Sequence, residues 1–315
     1  MSFSTKRRRK KSVEVGRYGL YFVTPFFIIF IIFQLYPLLN TIYNSLVFTY
    51  KNGRNVISQP GLSFGNYSTY VFGSAGGGEF WQAMGVTIAM WLINFVPQLF
   101  VSLLFAAWFT DTVNKIKGVK AYKVIMYMPN IVTAATVSVL FYNMFYGHGP
   151  IAELVSKMGG AIDINKGWTS LLIIAFIQFW MWYGNTMIVL IAGIMGISPS
   201  LYEAAMVDGA TGRQQFFKIT LPLLKPILQF TLVTSAIGGL QMYDIPQLFN
   251  AGKPVVNFRG KNIDSTTTIV MLIKKYLIGT TKNVGRASAY SVVLFFITLG
   301  VSLIFFFATA EKKKK

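Results

Sequence analysis

Two apolar stretches of the sequence carry side chains that could bind an uncharged, hydroxyl-rich ligand such as a sugar. Gln178, Trp182 and Asn185 are spaced by four and then three residues, which places them on one face of a helix. Amides donate and accept hydrogen bonds, and an indole ring offers a flat apolar surface for stacking. The next apolar stretch adds Ser235, Gly239 and Tyr243. These six residues are predicted to line a solute pathway, although polar groups and glycines in membrane helices also serve simply to bridge or pack neighbouring helices.

The same sequence excludes several other kinds of chemistry. Cysteine is absent, so the chain has no disulfide, thiolate metal site or cysteine nucleophile. His148 is the only histidine and is predicted to be a loop residue, since no second metal ligand accompanies it. The phosphate-binding pattern Gly-x-x-x-x-Gly-Lys-Ser/Thr is also missing, so this chain does not supply a nucleotide site. We therefore expect no catalytic residue, metal or cofactor on the chain, and no enzyme activity.

The elements that must position the polar residues are membrane-spanning helices. Hydrophobic residues make up 54% of the chain, charged residues only 12%, and the mean hydropathy is +0.53. Because backbone polar groups have no water partner in lipid, we predict an all-α, polytopic membrane protein. The loops at 50–80, 147–168 and 250–286 are predicted to hold short surface helices. Six apolar blocks reach the length of about 20 residues that a helix needs to cross a bilayer: 20–39, 86–109, 124–146, 171–197, 227–249 and 287–310.

Ionisable residues are nearly absent from these blocks. Asp244, near the end of the fifth block, is the one Asp, Glu, Lys or Arg within them. A carrier driven by an ion gradient needs an ion-binding group near the middle of the membrane, so the pattern disfavours that class. Asp244 is either a helix-end residue among the lipid headgroups or a polar group at the outer mouth of the pathway.

The net charge of +19 does not indicate nucleic-acid binding. Basic runs at 6–11 and 312–315 flank the first and last blocks without interleaved aromatics, so anionic lipid is their expected partner. With both termini in the cytoplasm, 18 of the 29 Lys and Arg residues lie on the inner side and 11 on the outer, and the positive-inside rule favours this orientation. We predict cytoplasmic tails at 1–17 and 311–315 around a six-span domain at 18–310. The first block is too long for a signal peptide and is predicted to stay uncleaved.

A polar segment between the fourth and fifth blocks is predicted to form two short helices on the cytoplasmic side. The first helix begins at Ser198-Pro199, or at a capping box formed by Ser200 and Glu203. Either start places Glu203 near the positive end of the helix dipole, where a carboxylate is favoured. Gly209 ends this helix after little more than two turns. The second helix carries the apolar residues Phe216, Phe217 and Ile219 and ends at Pro222.

The residue string of this segment, EAAMVDGATGRQQFFKITLP, resembles the EAA loop of permease subunits in binding-protein-dependent ABC importers. Further stretches resemble the carbohydrate-uptake branch of that family: GLSFGNYSTYV, FWQAMGVT, YKVIMYMPN and GRASAYSVVLFF. One departure is Gly252-Lys253-Pro254, where the family usually has Gly-Gly-Pro at the outer lip of the pathway. The EAA pattern matches without a gap at Glu203, Ala204, Ala205, Asp208, Gly209, Ala210, Phe216, Ile219, Leu221 and Pro222.

The resemblance implies a sugar importer of the bacterial cell membrane. Such a permease pairs with a second homologous permease, docks two ATP-binding subunits that hold ATP and magnesium, and receives solute from an extracytoplasmic binding protein. The EAA loop, residues 198–226, would be the coupling helix, with Arg213 and Lys218 at its rim. Its docking residues would be Glu203, Ala204, Ala205, Asp208, Gly209, Ala210 and Phe216. A secondary carrier, a membrane scaffold, or an ABC importer for another solute such as a glycerol phosphate ester remain the alternatives.

Overall fold

The computed structural model describes residues 15–52, 55–73, 77–111, 116–258 and 261–309, and in these ranges the chain is predominantly helical. The basic runs at 6–11 and 312–315 lie outside the described residues, so the predictions for the two tails stay predictions. The helices and strands are α1 (Val15–Phe30), α2 (Tyr36–Leu46), β1 (Val47–Asn52), β2 (Asn55–Leu62), α3 (Gly77–Thr110), α4 (Val119–Tyr127), α5 (Ala134–Phe145), α6 (Pro150–Lys157), α7 (Gly167–Met195), α8 (Pro199–Val207), α9 (Gly212–Gln215), α10 (Leu221–Leu223), α11 (Lys225–Leu240), α12 (Asp244–Asn250), β3 (Val255–Phe258), β4 (Lys261–Asp264), α13 (Ile269–Ile278) and α14 (Val284–Thr309).

Four continuous helices among the described residues are long and apolar enough to cross a membrane: Tyr18–Leu46, Gly78–Thr110, Gly167–Met195 and Val284–Thr309. The first of them joins α1 to α2 through a π-helical turn. Two further spans are bent pairs, with an angle of 89° after Ile131 and of 64° after Leu223. The predicted count of six spans therefore holds when each bent pair is one span.

The third and fifth predicted blocks are not continuous helices, and the sequence explains the break in the third. In the third block, Pro129 lies in a single 3₁₀ turn, and Thr133 then starts α5 by accepting a hydrogen bond from the Thr136 amide at 3.3 Å. In the fifth block, α11 ends at Leu240, and α12 begins at Asp244. Pro246 is tolerated there because the first turn of a helix does not use its N–H groups.

The core lies where α3 packs along α7. Half of the most apolar part of α7 is buried inside the chain, whereas none of the first span is. Gly184 lets the bent third span approach α7, because a Cβ there would lie 2.2 Å from the carbonyl oxygen of Met126. Trp91 and Phe95 of α3 stack at 6.0 Å and join the buried side chains of α7 in the main core cluster.

The loops predicted to lie outside the membrane contain two β-hairpins that the sequence did not predict. The expected surface helices occur as α6 and α13, but β1 pairs antiparallel with β2, and β3 with β4. The all-α fold class is confirmed for the membrane domain, with these hairpins as the exception.

The first span is tied to the bundle at its C-terminal end by hydrogen bonds that are mostly buried. The Asn66 amide nitrogen donates to the carbonyl oxygens of Ser45 at 2.9 Å and Val47 at 2.7 Å. Its amide oxygen accepts from the Thr49 backbone N–H at 3.2 Å. Asn283, just before α14, donates to the Thr49 carbonyl at 3.2 Å. The stretch GLSFGNYSTYV thus links the end of the first span to the start of the last.

Candidate functional site

The first helix of the EAA loop begins at Ser198-Pro199, the first of the two predicted starts, but without the predicted side-chain cap. Pro199 occupies its first position, while the Ser198 hydroxyl bonds to the Ser200 hydroxyl at 2.8 Å and caps no backbone N–H. The predicted capping box of Ser200 and Glu203 is therefore wrong. Glu203 lies in the second turn, and no acidic residue lies in the first, so it gains little from the helix dipole.

Gly209 is the joint between the two parts of the loop. Its φ of +74° lies in the left-handed region that favours glycine, and its N–H donates to the Met206 carbonyl at 3.0 Å. The second part begins with a reciprocal capping box between Thr211 and Gln214, which sequence reasoning missed. It continues through a π-helical turn to Leu223, one residue beyond the predicted end at Pro222.

Hydrogen bonds connect the two parts of the loop, and the joint at Gly209 is exposed. The Tyr202 hydroxyl lies 2.9 Å from the Thr220 hydroxyl, and the Gln215 amide donates to the Ala210 carbonyl at 3.2 Å. Val207, beside the joint, is 88% exposed. Among the predicted docking residues, Glu203, Ala204, Asp208 and Gly209 are exposed, and Ala205, Ala210 and Phe216 are half-buried.

A cavity of about 1140 Å³ separates the loop from the ends of α3 and α7. Its wall is mainly apolar, with Trp108 on α3 and Met195 on α7 facing Tyr202 and Phe216 of the loop. The loop thus projects from the bundle as a knob held by its own hydrogen bonds.

A second cavity, of about 670 Å³, lies within the bundle between α3, α7 and α11. All six residues predicted to form a pathway line it: Gln178, Trp182, Asn185, Ser235, Gly239 and Tyr243. The shared helix face inferred for the first three is confirmed by this placement, and the two stretches of sequence meet at one site.

The polar groups of the α7 wall and of the α11 wall of this central cavity have different hydrogen-bond partners. Gln178 and Asn185 on α7 make no side-chain hydrogen bond within the described part of the chain, so their amides are available to a ligand. On α11, Ser235 accepts a hydrogen bond from the Trp91 indole at 3.0 Å. A Cβ on Gly239 would lie 2.0 Å from the same indole ring. The packing interpretation therefore applies to Ser235 and Gly239, although both also face the cavity.

The decisive comparison is with known protein families. The family described as "Binding-protein-dependent transport system inner membrane component" matches residues 81–315. The chain belongs to this family. The permease is thus a multi-pass protein of the cell membrane and a transport component rather than an enzyme, and the resemblance of its EAA segment is confirmed at the level of the family.

Individual relatives of the permease match over nearly their whole length. The lactose transport system permease protein LacF of Rhizobium radiobacter is 27% identical over 318 residues, covering 99% of this chain and 100% of LacF. The trehalose/maltose transport system permease protein MalF of Thermococcus litoralis is 26% identical, covering 94% and 95%. A solved bacterial ABC transporter involved in the import of the acidic polysaccharide alginate has a TM-score of 0.75 at 22% identity, covering 94% and 96% of the two chains. The structural similarity to the alginate transporter shows a common fold.

A third wall of the central cavity was missed from the sequence. Trp91, Asn94 and Gln98 of α3 line it, and their spacing of three and four residues also marks one helix face. Asn94 donates to the Met90 carbonyl at 2.9 Å, and Gln98 donates to the Thr186 hydroxyl on α7 at 2.7 Å. The argument used for α7 would have found them, because they interrupt an otherwise apolar block.

An ion-pair cluster is centred on Glu79, at the start of α3. The Glu79 carboxylate accepts hydrogen bonds from Lys275 at 2.8 Å, Tyr276 at 2.6 Å and Arg286 at 2.7 Å. Burial, reinforced by the hydrogen bond to Glu79, raises the pKa of the Tyr276 phenol, which therefore stays protonated and donates. Sequence reasoning missed this cluster because its members are about 200 residues apart.

Three other predicted positions are placed as follows. His148 is exposed in the turn after α5. Asp244 is exposed at the first turn of α12 and lines the central cavity. Lys253, which departs from the family's Gly-Gly-Pro, forms an ion pair with Asp264 at 2.8 Å and so ties the β3–β4 hairpin to the segment before it.

Proposed function

We propose that this permease forms half of the translocation pathway of an ATP-driven importer for a sugar or oligosaccharide. Its partners are a second homologous permease, two ATP-binding subunits that carry ATP and magnesium, and an extracytoplasmic solute-binding protein. Both termini lie in the cytoplasm, which puts the EAA loop on the side of the ATPases. The names of relatives support a carbohydrate, since they include transport systems for lactose, trehalose/maltose and arabino-oligosaccharides.

The exposed knob of the EAA loop is the observation that carries the proposal. A loop that served only to connect two spans would not need an exposed joint at Gly209 beside Val207, an apolar residue that is 88% exposed. Ala204 and Ala205 keep the first helix narrow enough to fit a cleft, while Glu203 and Asp208 provide polar contacts around it. Exposed apolar residues next to polar ones are typical of a docking surface between subunits.

The central cavity supports a neutral, hydroxyl-rich solute. Its free amides at Gln178 and Asn185 can exchange hydrogen bonds with hydroxyls, and Trp182 is 46% exposed beside them. Two breaks in the spans border the cavity. Ala134 lies directly after the break in the third span, and Tyr243 lies in the break between α11 and α12. In alternating access, closure of the ATPases moves the EAA loop, and the segments on either side of these breaks rotate so that the cavity opens to one side at a time.

Affinity purification of the tagged permease from detergent-solubilised native membranes tests the proposed assembly. We expect mass spectrometry to recover a P-loop ATPase and a second six-span protein. Glu203→Lys should release the ATPase because it inverts the charge at the dock. Glu153→Lys, an equivalent change in α6 on the outer side, is the matched control and should keep it. A solitary permease, with ATP-independent transport in vesicles, would contradict the proposal in favour of a carrier.

Replacing Trp182 by alanine should change sugar preference without weakening ATPase binding. Loss of an aromatic stacking surface costs about 1 kcal/mol, so the KM for the preferred sugar should rise about three- to tenfold. Competition between labelled and unlabelled sugars in whole cells measures the change. Trp168→Ala is the control, because Trp168 lies on the same helix but outside the cavity and is 70% exposed. Equal effects of the two substitutions would make Trp182 a structural residue.

A further inference from the structure

Helix α13 is firmly attached beside the outer mouth of the central cavity. At its start, the Thr268 hydroxyl donates to the Met242 carbonyl at 2.8 Å, next to the break in the fifth span. The Ile269 N–H donates to the Thr87 hydroxyl of α3 at 2.9 Å. Ile269 and Leu272 are fully buried against the bundle. These contacts fix both the position of α13 and its rotation about its own axis.

Two adjacent lysines of α13 have different partners, because consecutive residues of a helix project about 100° apart. Lys275, together with Tyr276, is bound by the Glu79 carboxylate. The ammonium group of Lys274 instead donates to the Tyr243 hydroxyl. The same ammonium group lies 4.6 Å from the centre of the Tyr243 ring, within the range of a cation–π contact.

Lys274 contacts Tyr243 and, in the described part of the chain, forms no ion pair with a carboxylate. Within the described ranges the ion pairs are Lys253 with Asp264, and Lys275 and Arg286 with Glu79, so none includes Lys274. Tyr243 itself lines the central cavity at its outer side. Tyr243 lies in the break between α11 and α12, directly before the first residue of α12.

We propose that Lys274 is a positioning residue for solute uptake, which acts through Tyr243 by holding its ring in place at the outer mouth of the cavity. The inference rests on the proposed function, because it assumes that solute passes Tyr243. A ring that is already oriented binds an arriving sugar without first losing rotational freedom, so the contact lowers the solute concentration needed for transport. The anchoring of α13 by Glu79 supplies the rigidity that this role requires.

Transport kinetics test whether Lys274 acts through Tyr243. In the assembled importer, Lys274→Met should raise the KM for the preferred sugar about tenfold with little change in maximal rate. Lys274→Arg should restore most of the affinity, because a guanidinium group keeps both the donor and the cation. Lys282→Met, which removes an exposed lysine in the turn after α13, is the control. In a Tyr243→Ala background, Lys274→Met should have no further effect. An additive rise in KM in that background, or no rise in the wild-type background, would overturn the proposal.

A measurement that does not depend on transport separates this proposal from the proposed function. A single 3-fluorotyrosine placed at Tyr243 reports the environment and motion of that ring by fluorine NMR of the full-length permease in nanodiscs. We expect its resonance to shift and narrow in Lys274→Met and to stay unchanged in Lys282→Met. An unchanged resonance in both variants would overturn the positioning role even if the wild type transports sugar. If no sugar is transported but the resonance responds, the proposed function fails while the contact stands.

Discussion

Replacing Gly209 by proline is expected to abolish solute uptake while the permease still inserts into the membrane. Gly209 has a φ of +74°, whereas proline requires about −65°, and its N–H is bonded to the Met206 carbonyl. The joint must therefore rebuild, and the first helix of the EAA loop leaves the position from which it would enter an ATPase cleft. The bundle is unaffected because the joint is exposed. Uptake of a radiolabelled sugar, normalised to permease in isolated membranes, measures the effect.

Gly209→Ala is the graded control for this prediction. No atom lies within 4 Å of the Cβ it would add, so the cost is the left-handed backbone alone, about 1 kcal/mol. Uptake should fall only in part. Glu203→Lys should abolish uptake like the proline variant, and Glu203→Gln should retain most of it because the shape of the dock is kept. Normal transport by both Gly209→Pro and Glu203→Lys would refute the coupling role of the loop.

Replacing Gly184 by valine should prevent the bundle from folding. A Cβ at this position would lie 2.2 Å from the Met126 carbonyl oxygen and 2.9 Å from the Tyr127 Cα, both backbone atoms that cannot rotate away. The bent third span would have to move off α7, and we expect the loss to reach about 3 kcal/mol or more. Size-exclusion chromatography of a fluorescent fusion after heating measures the folded fraction in detergent.

Gly300→Ala is the matched control, because Gly300 also lies within a spanning helix but has no atom within 4 Å of an added Cβ. It should be neutral or slightly stabilising, since alanine favours helix more than glycine does. A folded fraction of Gly184→Val equal to that of Gly300→Ala would show that the third span does not pack against α7 as described.

Features that depend only on residues close together in the chain could be predicted from the sequence. Six apolar blocks, the glycine joint at Gly209 and the shared face of Gln178, Trp182 and Asn185 depend on residue type and spacing over a few turns of helix. The break at Pro129 could also have been read from the sequence, since proline interrupts backbone hydrogen bonding wherever it falls inside a helix. The capping of the first loop helix was misjudged because serine hydroxyls have several competing local partners.

The sequence by itself determined that this is a polytopic membrane protein with a polar helix pair on one side and uncharged polar groups within its spans. The tertiary structure alone decided which of those groups meet. It placed Ser235 and Gly239 against Trp91, joined Glu79 to residues about 200 positions away, and set Lys274 on Tyr243. Spacing along one helix defines a face, but the partner of that face depends on how separate helices pack, and apolar helices in lipid carry little local information about their neighbours.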